Sequence, residues 1–296
     1  EECFTQGRYR TPIATRFEAV LDDRTGLPEA ISGDCCFGGD RPLFHLDRGF
    51  ADPAYYQSGA IPNVRMTTTT HPVHVLNGAY RAPCFNSHVF MTESFIDECA
   101  VAAGVDPLEY RLKMLEGWDE SWSTALRLVA GKADWGNRRP RGQGVGLGIG
   151  AWPATKKGEG TMVACAAQVR VSPEGVLTVT RLDLAYDCGG TANRNAVHAQ
   201  IEGGAIYALN YTLNEEMTLR DGAMVESNFD SYPMVRMADT PQIVVHDGAL
   251  SGRPTFDIVG EAPVGAVGAA IGNAVYSATG KRLRSTPFRN HDLSWS

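Results

Sequence analysis

The chain has no excess of positive charge, no apolar run of membrane-spanning length and no paired-cysteine motif. Its 27 Lys and Arg against 34 Asp and Glu give a net charge of -7 without a basic stripe. That balance makes nucleic acid a poor partner. The cysteines, Cys3, Cys35, Cys36, Cys84, Cys99, Cys165 and Cys188, are scattered. Without a C-x-x-C spacing they exclude an ordinary zinc or iron–sulfur site and read as small buried hydrophobes. No stretch has the length of a membrane span or the layout of a signal peptide. The chain opens Glu1-Glu2-Cys3 without an initiator Met, as expected of a processed or partial chain. A Gly-x-Ser-x-Gly elbow is also missing, which disfavours an α+β hydrolase.

What is present is a chain of 296 residues, 43% apolar, long enough for a sizeable core in one large or two ordinary domains. Thr11 to Leu21 alternates, Asp22 to Gly26 is a turn cluster, and Pro28 to Ile31 returns, which predicts a hairpin. Cys35 to Ala60 has no period and reads as an irregular excursion. Met66 to Val75 suits a strand; its His71 and His74 lack the neighbours of a metal site. Val89 to Ala103 reads as an amphipathic helix with Glu93, Ser94, Asp97 and Glu98 on its polar side. Asp106-Pro107-Leu108-Glu109 has the N-cap, first-turn Pro and following acid of a helix start, and Ser121 to Lys132 reads as a further helix.

Gly142-Gln143-Gly144-Val145-Gly146-Leu147-Gly148-Ile149-Gly150 places glycine at every second position. That period belongs to a closely packed strand, and Trp152-Pro153 stands where a phosphate-binding helix would begin, so a dinucleotide loop is rejected. Thr161 to Val171 and Val176 to Tyr186 form a strand pair around Ser172-Pro173-Glu174-Gly175. Asp187-Cys188-Gly189 then leads into a helix whose small residues Gly203, Gly204 and Ala205 permit close approach, with Gln200 nearby as donor and acceptor. A last strand is expected over Gln242 to His246.

Three short stretches stand out as candidates for chemistry. Glu261, between Gly260 and Ala262-Pro263, sits just before the apolar run from Ala266 to Ala278. A loop there can project one acid into a pocket; the plainer reading is an acid favoured by a helix start. Arg81, in a turn before a helix, can hydrogen-bond an oxygen-rich ligand in a planar geometry, or pair with Glu93 or Asp97. Gln200 can face a ligand or solvent.

The ordered set Tyr80-Arg81-Ala82, Asp187-Cys188-Gly189, Gln200-Ile201-Glu202-Gly203-Gly204, Asn228-Phe229-Asp230-Ser231-Tyr232 and Gly260-Glu261 resembles the molybdopterin-binding large subunit of the xanthine dehydrogenase and aldehyde oxidase family. The resemblance covers nearly the whole chain. It implies an α+β fold of mixed sheets with packed helices, with 1–140 in a first molybdopterin-binding subdomain and 141–296 in a second. It also implies the C-terminal part of such a subunit, because the family's Gly-Gly-Gly-Phe-Gly segment is not found. By position Glu261 matches the catalytic base, Arg81 an arginine beside the molybdenum pocket, Gln200 a cofactor-binding glutamine, and Gly189, Gly203 and Gly204 close-approach positions. No residue is assigned as a metal ligand. Ala262 stands where the family usually has Pro, and Arg194 follows Asn193 where it usually has Pro.

The implied activity is hydroxylation of an N-heteroaromatic compound or aldehyde with water as oxygen source. Glu261 would act as an ionised, poorly solvated base. The implied cofactor is molybdenum-molybdopterin in its cytosine dinucleotide form. Implied partners are the remaining large subunit and a small subunit with [2Fe-2S] clusters, in a bacterial hetero-oligomer of the periplasm or cytoplasm. By the same reading the chain alone is catalytically incomplete, and its surface toward the missing part is expected to be unusually apolar, or covered by another chain or a second copy, with Cys35 to Ala60 and the face around Gly203 as candidates. The competing expectation is a non-catalytic, split or degenerate module that keeps the fold and docks to a partner subunit.

Overall fold

The computed structural model describes residues 2–39, 61–152 and 160–295. The expected hairpin forms from β1 (Ile13–Leu21) and β2 (Pro28–Gly38), antiparallel with Ile13 opposite Phe37. β3 (Asn63–His71) adds to β2 in parallel, giving the order β1-β2-β3. β3 stops before Pro72, which has no N–H to donate to a ladder. β2 continues past Ile31, so the first residues of the expected excursion, Cys35 to Gly38, belong to the sheet. Cys35 and Phe37 alternate inward and bury against Cys84, which the local composition did not reveal. Residues 40–60 lie outside the described residues.

The second sheet has the order β7-β6-β5-β4. β4 (Gln143–Trp152), β5 (Thr161–Val171) and β6 (Leu177–Asp187) are antiparallel, and β7 (Gln242–His246) runs parallel to β6. Its two faces follow the period of two in the sequence. Met162, Ala164 and Ala166 of β5 face one core with Leu126 and Val129; Val163, Cys165 and Ala167 face another with Ile201 and Val267. The sheet is therefore packed on both sides.

The helices cover those faces. They are α1 (Phe85–Ala102), α2 (Pro107–Met114), α3 (Glu120–Lys132), α4 (Arg194–Leu213) and α5 (Ala262–Thr279). Asp106 caps α2 as expected, accepting from the N–H groups of Leu108 and Glu109. The amphipathic expectation for α1 is corrected, because Glu93, Ser94 and Asp97 are buried rather than solvated. Fully buried Arg111 explains the reversal: its Nε donates to Glu93 at 3.0 Å and its Nη1 to Asp97 at 3.2 Å. Arg282 reaches Asp97 at 2.9 Å.

The alternating glycines of β4 form the bed of α5. A Cβ at Gly146 would fall closer than 3.0 Å to the backbone of Ala270 and Ala274, and Gly144, Gly148 and Gly150 face the same helix. Val145, Leu147 and Ile149 point the other way into the first core. Gly146→Ala is expected to destabilise by roughly 1–3 kcal/mol, because neither backbone can retreat. Gly131→Ala, in α3 with nothing within 4 Å, is the control and should be neutral or slightly stabilising. Urea unfolding of the two variants checks this; equal midpoints would contradict it.

Five of the seven cysteines are buried thiols, while Cys3 and Cys36 are exposed. Among the described residues no helix is long and apolar enough to cross a membrane.

Candidate functional site

Glu261 opens α5, one residue after Gly260 and two before Pro263. The helix starts at Ala262, ahead of the strongly apolar run from Ala266. Glu261 stands at the N-cap of the helix, where the dipole favours an acid, but its side chain makes no hydrogen bond to the free N–H groups of that helix. Its Oε2 instead accepts the backbone N–H of Ala82, 179 residues away in sequence. Ala82 and Cys84 adopt φ of 57° and 65°, in the left-handed region that alanine and cysteine seldom occupy. The loop is held in that shape from behind: Asn86 Nδ2 donates to Arg81 O at 3.0 Å, and the N–H groups of Asn86 and His88 return to Ala82 O and Cys84 O. The inverted turn aims the Ala82 N–H at the carboxylate.

Arg81 ties three segments together. Its Nε donates to Gly260 O at 2.6 Å, and its Nη2 to Gln200 O at 3.1 Å and Gln200 Oε1 at 3.0 Å. The guanidinium also lies 5.7 Å from the Tyr207 ring centroid. The alternative pairing of Arg81 with Glu93 or Asp97 is absent, since those acids serve Arg111 and Arg282. Arg81, Gln200 and the Gly260-Glu261 corner thus meet although they are far apart in the chain.

The three candidate glycines have different surroundings. A Cβ at Gly203 would meet only Arg81 Nη1, at 3.6 Å, so space lies open above it. Gly204 faces Pro263 and Gly260 O, at 3.0 and 3.4 Å from such a Cβ, and lets α4 approach the start of α5. Gly189, with φ of 72°, is placed against Thr255 and bridges Phe256, on the segment that leads to Gly260. It shapes that segment and is not brought to Arg81 and Gln200.

Sequence reasoning missed the aromatic and acidic group beside this junction. Tyr80 Oη donates to Glu215 Oε2 at 2.5 Å, and Arg10 lies 5.6 Å from the Tyr80 ring and 5.0 Å from the Tyr211 ring. Burial raises the Glu215 carboxyl above its ordinary value, and the hydrogen bond from Tyr80 and the charge of Arg10 oppose that. Tyr207 stacks obliquely on Tyr80 at 4.9 Å. Its hydroxyl is raised by burial first, with Glu215 and Glu261 adding to the effect. The available signal was helical spacing: Gln200, Gly203 and Tyr207 lie three and four residues apart and share a face of α4.

The donor set suits an anionic, oxygen-rich organic cofactor better than a bare metal ion. Gln200 uses its carbonyl oxygen on Arg81 and keeps its amide N–H donors, in an exposed stretch of α4. Among the described residues no group of three or more His, Cys, Asp or Glu side chains is clustered to hold a metal.

Residues 128–241 match the model of the molybdopterin cofactor-binding domain, a span that includes Gly189, Gln200, Gly203 and Gly204. The chain is 35% identical to isoquinoline 1-oxidoreductase subunit beta of Brevundimonas diminuta, over 98% of this chain and 37% of that protein. The chain belongs to the molybdopterin-binding xanthine dehydrogenase and aldehyde oxidase family. A second family relative, the membrane-bound aldehyde dehydrogenase of Gluconacetobacter polyoxogenes, named for pyrroloquinoline quinone, is 32% identical over 68% of this chain and 27% of its own. The chain therefore spans about a third of the length of these relatives. Quinoline 2-oxidoreductase from Pseudomonas putida 86 shares the fold, with a TM-score of 0.78 at 14% identity over 94% of this chain and 61% of that one. The α+β architecture expected from the family resemblance is the one observed.

Proposed function

We propose that this chain contributes the catalytic base and part of the cofactor cradle of a molybdenum hydroxylase, acting on an N-heteroaromatic compound or an aldehyde. The observation that carries the reading is the junction itself, where Arg81, Gln200 and Ala82 converge on the Gly260-Glu261 corner. Support for the cofactor comes from the family-model match, which spans Gln200 and Gly203. The names of the relatives, an isoquinoline oxidoreductase and an aldehyde dehydrogenase, support the substrate classes.

Molybdopterin-bound molybdenum, when present, supplies the acceptor for the two electrons removed from substrate. The residues of this chain handle position and protons. The Ala82 N–H holds one Glu261 oxygen and leaves the second to take up the proton released as water-derived oxygen joins the substrate carbon. Arg81 fixes the corner from which Glu261 projects, through Gly260 O. The amide N–H groups of Gln200 would hold the cofactor, and Gly203 would let it approach α4. The cytosine dinucleotide form of the cofactor and a partner with [2Fe-2S] clusters to carry electrons away complete the proposal.

Quantifying molybdenum and pterin in the complete assembly, together with substrate-dependent reduction of an artificial acceptor, tests it. Stoichiometric cofactor with turnover of quinoline or acetaldehyde is the expected result. Absence of both cofactor components from the intact assembly would favour the docking module instead.

Arg81→Ala removes the hydrogen bonds to Gly260 and Gln200 together. A shift of about 1 Å in a base can cost on the order of a hundredfold in rate, and a loss of that size in kcat is expected with the fold retained. Arg81→Lys should not restore it, because an ammonium cannot span two acceptors in the guanidinium plane. Gln200→Ala is expected to lower pterin content after gel filtration. Normal kinetics and full cofactor content across these variants would refute the clamp.

A further inference from the structure

The loop between α3 and β4 carries Arg138, Arg139 and Arg141, a cluster of cations in a chain whose net charge is -7. All three line a cavity of about 510 Å³, completed by Gln143 of β4 and by the last turn of α5 at Ala278. A volume of that order is usual for a small-molecule pocket. Among the described residues no carboxylate forms an ion pair with any of the three. Asp106 shares the cavity wall, but its carboxylate is engaged elsewhere: Oδ1 accepts the N–H groups of Leu108 and Glu109, and Oδ2 accepts Trp135 Nε1 at 3.0 Å. The positive charge of the cavity is therefore uncompensated. The loop that carries it is tied at several points. The Trp135 N–H donates to Ala130 O at 2.9 Å, Arg139 Nη2 to Ala133 O at 2.5 Å, and the Gly142 N–H to Ala278 O at 3.2 Å. Arg141 lies 4.7 Å from the Trp295 ring centroid. A loop already held in one shape loses little freedom when a ligand binds. The cavity is also remote from Glu261: the two stand at opposite ends of α5, about 25 Å apart at the rise of an α-helix.

We propose that this cavity binds the phosphate end of a small organic phosphate. A phosphate monoester presents several oxygens on one centre and carries about two negative charges at pH 7, which suits several guanidinium forks at once; a carboxylate fills one. The cavity is larger than a phosphate group, so it has room for the rest of the molecule. Three cations in one loop do not make the stripe that a nucleic-acid backbone needs, and the concave shape favours a small molecule over a protein surface. The alternating glycines of β4 take no part, because α5 covers them. The proposal does not depend on the role of Glu261.

Calorimetry of the complete enzyme assembly with pyrophosphate, ADP and citrate tests it, beside Arg138→Gln, Arg141→Gln and the control Arg24→Gln, which removes an exposed charge from the Asp22 to Gly26 turn. Saturable binding of pyrophosphate and ADP is expected, weakening as NaCl is raised. Affinity should fall about tenfold in Arg138→Gln and in Arg141→Gln, the usual effect of losing one hydrogen bond to a charged group, and stay unchanged in Arg24→Gln. Equal affinity for pyrophosphate and ADP assigns recognition to the phosphates alone; tighter binding of ADP shows that the nucleoside fills the remaining space. Turnover and pterin content of Arg138→Gln should match wild type, and a loss of pterin would assign the arginines to the cofactor and overturn a separate site. Arg138→Gln carries the test if Arg141→Gln folds poorly, because none of the loop's ties described above runs through Arg138. No saturable binding of either phosphate compound, affinity unchanged in the folded arginine variants, or citrate bound as tightly as pyrophosphate would also overturn the proposal.

Discussion

Glu261→Gln is expected to leave the fold and cofactor content near normal while lowering turnover by about a hundred- to ten-thousandfold, the usual effect of removing a positioned general base. The substitution is chosen for its geometry. A glutamine carbonyl oxygen can still accept the Ala82 N–H, so the inverted turn at Ala82 and Cys84 keeps its partner. Helix α5 loses no capping hydrogen bond, because the Glu261 side chain makes none to it. What disappears is the negative charge and the capacity to take a proton. Single-turnover reduction of the bound cofactor by substrate isolates the chemical step from later electron transfer. Turnover within a fewfold of wild type would sink the assignment, whatever the outcome at Arg81 or Gln200.

The largest expected effect on stability is that of Arg111→Met. Arg111 is fully buried and binds Glu93 and Asp97 of α1 as well as the backbone of Pro107 and Glu93. Removing the cation while leaving both acids buried typically costs about 3–5 kcal/mol. Arg282 still reaches Asp97, so the greater share of the penalty falls on Glu93. Glu93 Oε2 also accepts the N–H of Ile149 at 3.2 Å, and through it the network joins α1 to β4. The double variant Arg111→Met with Glu93→Gln should recover part of the loss, since a neutral amide is cheaper to bury than an unpaired carboxylate. Urea unfolding of both variants measures this. A single variant as stable as the parent would show that the network contributes nothing.

Much of the second sheet was legible in the sequence because its signals are local. The glycines from Gly142 to Gly150, the Ser172-Pro173-Glu174-Gly175 turn and the span Gln242 to His246 each carry their own period or turn chemistry, and each became the element expected. The same holds for the Asp106 cap of α2. Glu93 and Asp97 were misread for a complementary reason: a charged residue at helical spacing looks solvated unless its partner is known, and Arg111 and Arg282 lie in other elements.

By itself the sequence determined the strand and helix periods, the close packing of the glycine strand and the family resemblance that singled out Glu261, Arg81 and Gln200. Only the tertiary structure decided what those residues touch. Arg81 and Gly260 are 179 residues apart, and nothing local to either says that one donates to the other. The left-handed turn at Ala82 occurs in residues with no intrinsic preference for it, and becomes stable when Asn86 and Glu261 satisfy its backbone groups. Gly189 shows the same limit from the other side: its φ marks a close approach, and the neighbour proved to be Thr255. A sequence specifies local periods directly because they depend on adjacent side chains. Long-range partners depend on how the packed elements bring distant backbone together, and that is settled only when the core closes.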